Sequence, residues 1–181
     1  GGGFAGRLRA GDWLALPEPE DGIARRGRWV KLLKVSPDAS SVTLYVGGVG
    51  QTEAWPDDFQ KTLDERCGFC PGDPDDRLLE GPDPDVKTFL EMTGRLSDFF
   101  VSAYEAAERR GDWDVLLAYQ PVIDGAEHVF GPSGQAPPVV DAIRAGKSAT
   151  GMRESWRIAD RAAARYLRFL ERGGDVVLLS D

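Results

Sequence analysis

The pattern of apolar and polar positions divides the chain into a β-rich first part and a second part of helices and apolar runs. In the first fifty residues, three apolar runs, DWLAL, RGRWVKLLKV and SSVTLYVGGV, are separated by the turn-forming stretches PEPEDG and SPDAS. These runs predict three strands of a small antiparallel sheet. In RWVKLLKV the apolar and basic residues partly alternate, which predicts one solvent-exposed face.

Two long amphipathic helices are predicted in the second part. Residues 84–110 carry apolar residues at steps of three and four, Asp83 and Pro84 suit the helix start, and Gly111 suits its end. Residues 151–172 repeat the pattern before a Gly-Gly pair. The predicted buried positions are Val86, Leu90, Thr93, Leu96, Phe100 and Tyr104 in the first helix, and Met152, Trp156, Ala159, Ala163, Tyr166 or Leu167, and Leu170 in the second.

Two continuous apolar runs flank the second helix, at residues 114–119 and 175–180. Such runs are typical of strands that are buried on both faces of a parallel sheet. The order strand, helix, strand predicts a parallel βαβ unit with a right-handed crossover. The predicted fold class is therefore α/β, or α+β overall. The loop-rich stretch 56–83 is the expected seam, which gives a β-rich region 1–83 and an α/β region 84–181.

Composition and charge narrow the range of functions. The chain has 181 residues with a formal net charge of -8, and it contains no basic tract. Binding to a nucleic-acid polymer is therefore not expected, since it needs clustered Lys and Arg to displace counterions. No stretch of 18 apolar residues occurs, so no membrane span is predicted.

The two cysteines form a C-x-x-C motif, Cys67 and Cys70 in RCGFCPGDPDD. A four-ligand zinc site needs a second pair of ligands, which one distant histidine does not supply. A thioredoxin-like motif opens a helix after a strand, whereas a loop follows Cys70 here. The context favours a local disulfide or two thiols, and leaves metal binding and redox catalysis as lesser alternatives.

The stretch WDVLLAYQPVIDGAEH contains Asp124 and His128, and His128 is the only histidine of the chain. On a helical turn, residues four apart face the same way, and carboxylate oxygen and imidazole nitrogen are both good zinc ligands. An isolated D-x3-H pair is more often structural. The predicted sheet changes the expectation, because it brings Asp124, His128 and the last residue, Asp181, to the carboxyl edge of its parallel strands.

Two motifs in this order, DVLLAYQPVIDGAEHVFGP and DVVLLSD, resemble those of the alkaline phosphatase superfamily, most closely its nucleotide pyrophosphatase/phosphodiesterase branch. The resemblance is strong over residues 112–181 and looser before them. It implies that Asp124 and His128 are ligands of one zinc and Asp181 of a second. It also implies an alkaline-phosphatase-like sheet, with 1–83 as an inserted accessory (cap) region and 84–181 as part of the catalytic domain. Glu127 stands where glycine is common in the family.

The implied enzyme is a phosphoric ester hydrolase, a phosphodiesterase or pyrophosphatase with a two-zinc site, a small phosphate-ester substrate and a periplasmic or extracellular location. The family's Ser or Thr nucleophile and further metal histidines are not found, so no catalytic or substrate-binding residue is assigned.

The chain also lacks an initial Met and stops inside the second motif. We therefore expect a fragment that is inactive alone, binds no zinc stably, and needs the remainder of the parent catalytic domain. The alternative is a non-catalytic binding or assembly module with a structural Asp124/His128 pair.

Overall fold

The computed structural model describes residues 8–18, 25–80, 84–131 and 146–179. The chain forms two compact units, Gly1–Gly72 and Asp73–Asp181. A three-stranded antiparallel sheet lies in the first unit, and three of the four described helices lie in the second. This mixed content confirms the α+β class at the coarse level. The division after Gly72 falls within the loop-rich stretch 56–83, eleven residues before the boundary predicted from the sequence.

The sheet of the first unit has the strand order β1-β2-β3, which confirms the three predicted strands. Its strands are β1 (Trp13–Pro17), β2 (Arg26–Val35) and β3 (Val42–Gln51). The antiparallel register sets Val30 opposite Leu14 and Val46, so these three residues share one face of the sheet. We call this the aliphatic face.

On the other face of the sheet, the solvent exposure expected for the basic residues of β2 holds for Lys34, which is exposed, but not for Lys31. Lys31 is only 4% exposed. Its ammonium lies 5.5 Å from the centroid of the Trp13 ring, and Trp13 in turn packs edge-on against Tyr45. A lysine can be buried there because its aliphatic stem packs on apolar neighbours while the aromatic face attracts its charge.

Helix α1 (Asp57–Arg66) leads into a loop that is docked closely on the sheet. The Thr52 hydroxyl donates to the Gly68 carbonyl at 3.0 Å and accepts from the Cys70 amide at 2.8 Å. The carbonyl oxygen of Cys70 approaches Gly50 so closely that a Cβ atom at Gly50 would lie 1.5 Å from it. Cys67 and Cys70 are half-buried thiols in this loop, one of the two states that the sequence favours.

The second unit is built around a helical core. Its helices are α2 (Val86–Arg110), α3 (Val122–Phe130) and α4 (Ser148–Tyr166), with 3-10 turns at Asp76–Leu79 and Leu167–Arg172. The long predicted helices are thereby confirmed, with a 3-10 end on the second. Leu79, Phe89, Ala126 and Phe130 form the buried centre of this core. The first 3-10 turn, α2 and α3 are therefore held together by one apolar cluster.

The side of α4 that is buried differs from the predicted side. Trp156, predicted to be buried, is 55% exposed. The buried positions are Gly151, Ser155, Ile158 and Ala162, most of which are small. A Cβ atom at Gly151 would lie 2.6 Å from the ring of Phe130. The small residues permit the close approach of α3 that large apolar residues would prevent.

Helix α2 begins two residues later than predicted, at Val86 rather than Pro84. The Asp85 carboxylate accepts hydrogen bonds from the Thr88 amide at 2.9 Å and from the Thr88 hydroxyl at 2.6 Å, which makes Asp85 the N-cap. Asp83, the predicted cap, lies outside the described residues. The predicted end is confirmed, since Gly111 adopts a left-handed conformation with φ 67°. The buried positions are Thr88, Phe89, Met92, Thr93, Leu96, Ser97, Val101 and Ala106, of which only Thr93 and Leu96 were predicted.

The two apolar runs predicted as parallel strands are not strands among the described residues. Segments 114–119 and 175–179 carry no regular structure, and Asp181 lies outside the described part. Leu117 and Leu179 are 88% and 89% exposed. The parallel βαβ unit is accordingly not shown, although helix α4 does stand between the two runs in the sequence.

An ion pair between α2 and α4 makes the stability of the second unit depend on pH. The Arg165 Nε atom lies 2.8 Å from the Glu105 Oε1 atom, and this hydrogen bond lowers the pKa of Glu105. We expect Glu105→Gln to reduce the free energy of unfolding by about 1 kcal/mol at neutral pH. Because folding lowers the pKa of Glu105, this contribution to stability is fully present at pH values above the pKa of the unfolded state. It is lost as the pH falls through the pKa of the folded state.

Urea denaturation of both proteins across a pH series measures the effect of Glu105→Gln. The matched control is Glu154→Gln, which removes an exposed ion pair with Arg157 on α4, where the two side chains are 37% and 61% exposed. The control is expected to change stability by less than about 0.5 kcal/mol. A difference between wild type and Glu105→Gln that stays constant below pH 4 would contradict the assignment.

Candidate metal site on helix α3

Asp124 and His128 lie one helical turn apart on α3 and converge in space. The His128 Nε2 atom lies 3.3 Å from the Asp124 Oδ1 atom. The side chains are 79% and 59% exposed, respectively. Both groups thus lie on the same side of a helical turn, as their spacing predicts, and the structure adds that this side is open to solvent.

The separation of the two donor atoms fits a shared metal ion. Ligand atoms that lie ~2.0–2.1 Å from a tetrahedral zinc are themselves ~3.3–3.4 Å apart, by the geometry of the tetrahedron. The 3.3 Å between Asp124 Oδ1 and His128 Nε2 matches this separation. The residues thus fit two of the positions around one ion. The same distance also suits a direct ion pair between residues four apart on a helix.

The third predicted ligand is not placed by the structure, because Asp181 lies outside the described residues. Within residues 8–18, 25–80, 84–131 and 146–179, no group of three or more His, Cys, Asp or Glu side chains is arranged to hold a metal. The structure therefore brings two of the three predicted ligands together.

The orientation of the pair follows from the amphipathic pattern of α3. Val122, Ala126 and Phe130 are buried and recur at steps of four. This apolar stripe faces the helical core, so Asp124 and His128 lie on the exposed part of the helix surface. The sequence PVIDGAEHVF therefore fixes which way the pair points, provided that the helix docks on its apolar side.

The segment before α3 is attached to the helices by side chains. The indole of Trp113 donates to the Ala107 carbonyl at 3.0 Å, and the Gln120 amide donates to the Tyr166 hydroxyl at 3.4 Å. The Tyr119 hydroxyl donates to the Asp124 Oδ2 atom at 3.4 Å, which leaves Oδ1 directed at His128. These contacts fix the side chains that flank the apolar run, whereas the middle of the run is exposed.

An acid near the pair with a raised pKa, Asp76, was missed by sequence reasoning. The pKa of Asp76 is raised, first by burial and then by the negative charges of Asp75, Asp73 and Glu80, while His128 acts in the opposite direction. The stretch GDPDDRLLE reads as a turn, and nothing in it points to α3. Only the packing of its Leu79 against Ala126 and Phe130 in the core brings Asp76 near His128.

Comparison of the chain with models of protein families, with curated proteins and with solved structures finds no match. The resemblance to the alkaline phosphatase superfamily therefore depends on the two sequence motifs alone. Among the helices of the described residues, none is long and apolar enough to span a membrane.

Proposed function

We propose that this chain is part of a metal-dependent phosphodiesterase or nucleotide pyrophosphatase in which Asp124 and His128 hold one of two zinc ions. The observation that carries the proposal is the 3.3 Å approach of the Asp124 carboxylate and the His128 imidazole on an exposed helix surface. Asp181 is the proposed ligand of the second ion. The reaction is the hydrolysis of a phosphate ester, in which a P–O bond to the oxygen of water replaces the P–O bond to an alcohol or nucleotide, and the leaving group departs with a proton.

The chemistry of the substrate accounts for a metal site in this acidic chain. A phosphodiester is an anion, and the net charge of the chain is -8, so the general field repels the substrate. A zinc ion held at the pair would supply local positive charge to the oxygens of the transferring phosphoryl group. Among the residues of the chain, Asp124 and His128 would bind the ion, and Tyr119 would orient the Asp124 carboxylate through its hydrogen bond to Oδ2.

The exposed apolar runs favour the proposal that this chain belongs to a larger catalytic domain. We propose that 114–119 and 175–180 become neighbouring parallel strands, with α4 as the crossover, when the rest of the domain supplies the adjoining strands. Val115 and Val177 are 75% and 77% exposed, and Leu117 more so. Burial of each such side chain is worth ~1.5–3 kcal/mol, which would stabilise the completed sheet. Residues 1–83 would then be the accessory region of the enzyme.

The exposed runs also favour a second candidate function, that of an assembly module without catalysis. In such a module the runs would bind another protein, and the Asp124–His128 contact would be an ion pair that stabilises α3 by ~0.2–0.5 kcal/mol. The two candidates differ in whether zinc binds at the pair, which is what the experiment measures.

The test uses the parent polypeptide, purified with its native metal content, beside the 181-residue chain. The parent is expected to contain two zinc ions and to hydrolyse bis(4-nitrophenyl) phosphate, with activity that is lost on chelation and restored by zinc. The 181-residue chain is expected to do neither. A parent that binds no zinc and hydrolyses no phosphate ester would overturn the proposal in favour of the assembly module. Robust hydrolysis by the 181-residue chain, lost in Asp124→Ala, would show that the remainder of the domain is not needed.

A further inference from the structure

The outer strand β3 differs from β1 in how its edge is protected. Strand β1 has five residues and ends in Pro17, whereas β3 has ten residues, VTLYVGGVGQ, with no charged residue and no proline. Among the described residues both strands are edges, because the sheet order is β1-β2-β3. An edge strand offers backbone donors and acceptors to another strand, and charged residues and prolines are the usual protection against such pairing. Strand β3 lacks both.

The regular part of this edge is Val42–Val46. The register pairs Val30 with Val46 and Arg28 with Val49, so that two residues of β3, Gly47 and Gly48, lie opposite a single residue of β2. This is a β-bulge, which bends the strand and interrupts its regular pairing. The five residues of β3 before this bulge remain extended, because the second register shift, between Leu32 and Lys34, places its extra residue in β2 and not in β3.

Three aliphatic side chains stand on this regular part, all on the aliphatic face of the sheet. Val42, Leu44 and Val46 are 59%, 47% and 45% exposed. Leu32 and Val30, the cross-strand partners of Leu44 and Val46, are 6% and 7% exposed, whereas Val35, the partner of Val42, is 40% exposed. The apolar face therefore continues from the sheet interior to its β3 edge at Leu44 and Val46. A further strand beyond β3 would bury more of this apolar surface, which is stabilising.

We propose that β3 pairs with β3 of a second copy of this chain, antiparallel, to form a six-stranded sheet. A twofold axis perpendicular to the sheet keeps the aliphatic faces of both copies on the same side. With the axis at Leu44, each Leu44 lies opposite its equivalent, and each Val42 lies opposite a Val46. When two identical strands pair, a charged side chain near the axis lies close to its own equivalent, and this repulsion is destabilising. Strand β3 has no charged residue and avoids it. This proposal does not depend on the phosphodiesterase function.

Sedimentation equilibrium of the 181-residue chain over a concentration series tests the pairing. The mass is expected to rise from 19.7 kDa toward twice that value. The variant Leu44→Lys sets two like charges opposite each other on the axis, and is expected to weaken the dimer at least about tenfold. The matched control Leu16→Lys changes a residue of the aliphatic face that is 41% exposed but lies on β1, and it is expected to leave the dimer intact.

Hydrogen exchange locates the contact in the same samples. The amides of Val42–Val46 are expected to gain protection as the concentration rises in the wild type and in Leu16→Lys, but not in Leu44→Lys. Circular dichroism verifies that each variant is folded, and Val42→Lys takes the place of Leu44→Lys if the latter does not fold. A chain that is monomeric at all concentrations contradicts the proposal. If Leu16→Lys weakens the dimer as much as Leu44→Lys does, the two sheets pack face to face. If only Leu117→Lys, in the exposed run 114–119, weakens the dimer, the contact lies in the second unit. Either result overturns the proposal.

Discussion

If the chain belongs to the proposed phosphodiesterase, Asp124→Asn is expected to lower the kcat/KM of that enzyme for bis(4-nitrophenyl) phosphate at least about 100-fold, or ~2.7 kcal/mol in transition-state free energy. The substitution keeps the size of the side chain but removes the negative charge that an ion held with His128 requires. Zinc content, measured by atomic absorption, is expected to fall by one ion per chain. His128→Asn is expected to have a similar effect, because it removes the other donor of the pair.

Glu127→Gln is the matched control for this charge change. Glu127 is exposed on the same helix, next to His128, and also loses one negative charge in the variant. Because its carboxylate is not part of the pair, we expect activity and zinc content to remain within about twofold of wild type. Equal losses in Asp124→Asn and Glu127→Gln would mean that the helix responds to its general charge, and would remove the argument for a specific site.

Gly50→Ala is expected to destabilise the first unit by about 3 kcal/mol, because overpacking against a fixed backbone is costly. The new Cβ atom would lie 1.5 Å from the Cys70 carbonyl oxygen and 2.7 Å from its carbon. The loop cannot move aside easily, since the Cys70 amide is bonded to the Thr52 hydroxyl at 2.8 Å. Urea denaturation gives the loss of stability, and hydrogen exchange is expected to show loss of protection at Cys70.

Gly48→Ala serves as the control in the same strand. A Cβ atom at Gly48 would meet no atom within 4 Å, so this substitution is expected to change the free energy of unfolding by less than about 0.5 kcal/mol. If both alanine variants lose the same stability, the effect belongs to the glycine content of β3. The close approach of the loop to Gly50 would then not be its cause.

The predicted elements agree with the structure where local pattern alone decides them. The three strands, the long helices and the left-handed end at Gly111 are all readable because turn formers, periodicity and glycine act over a few residues. The start of α2 was misplaced by two residues, because Asp83 and Asp85 have the same chemistry. Only the position of Thr88, whose amide and hydroxyl both bond the Asp85 carboxylate, distinguishes them.

The buried faces of the helices were harder to predict. In α4 the sequence favoured the large residue Trp156, yet the helix packs through Gly151 and Ser155. Periodicity locates an apolar stripe, but it carries no information about the shape of the partner. The ring of Phe130 comes from a different helix, and its need for space at Gly151 exists only when α3 and α4 meet.

The candidate site, like the helices, could be predicted from the sequence only in part. By its own pattern, the sequence determined that Asp124 and His128 share one side of a helical turn, because residues four apart must do so on an α-helix. Tertiary structure alone decided that this side is exposed and that Asp76 lies in the electrostatic environment of His128. It also left the apolar runs 114–119 and 175–179 without the strand structure that their composition predicts. Composition states a preference for burial, but a strand forms only where another strand supplies the backbone hydrogen bonds.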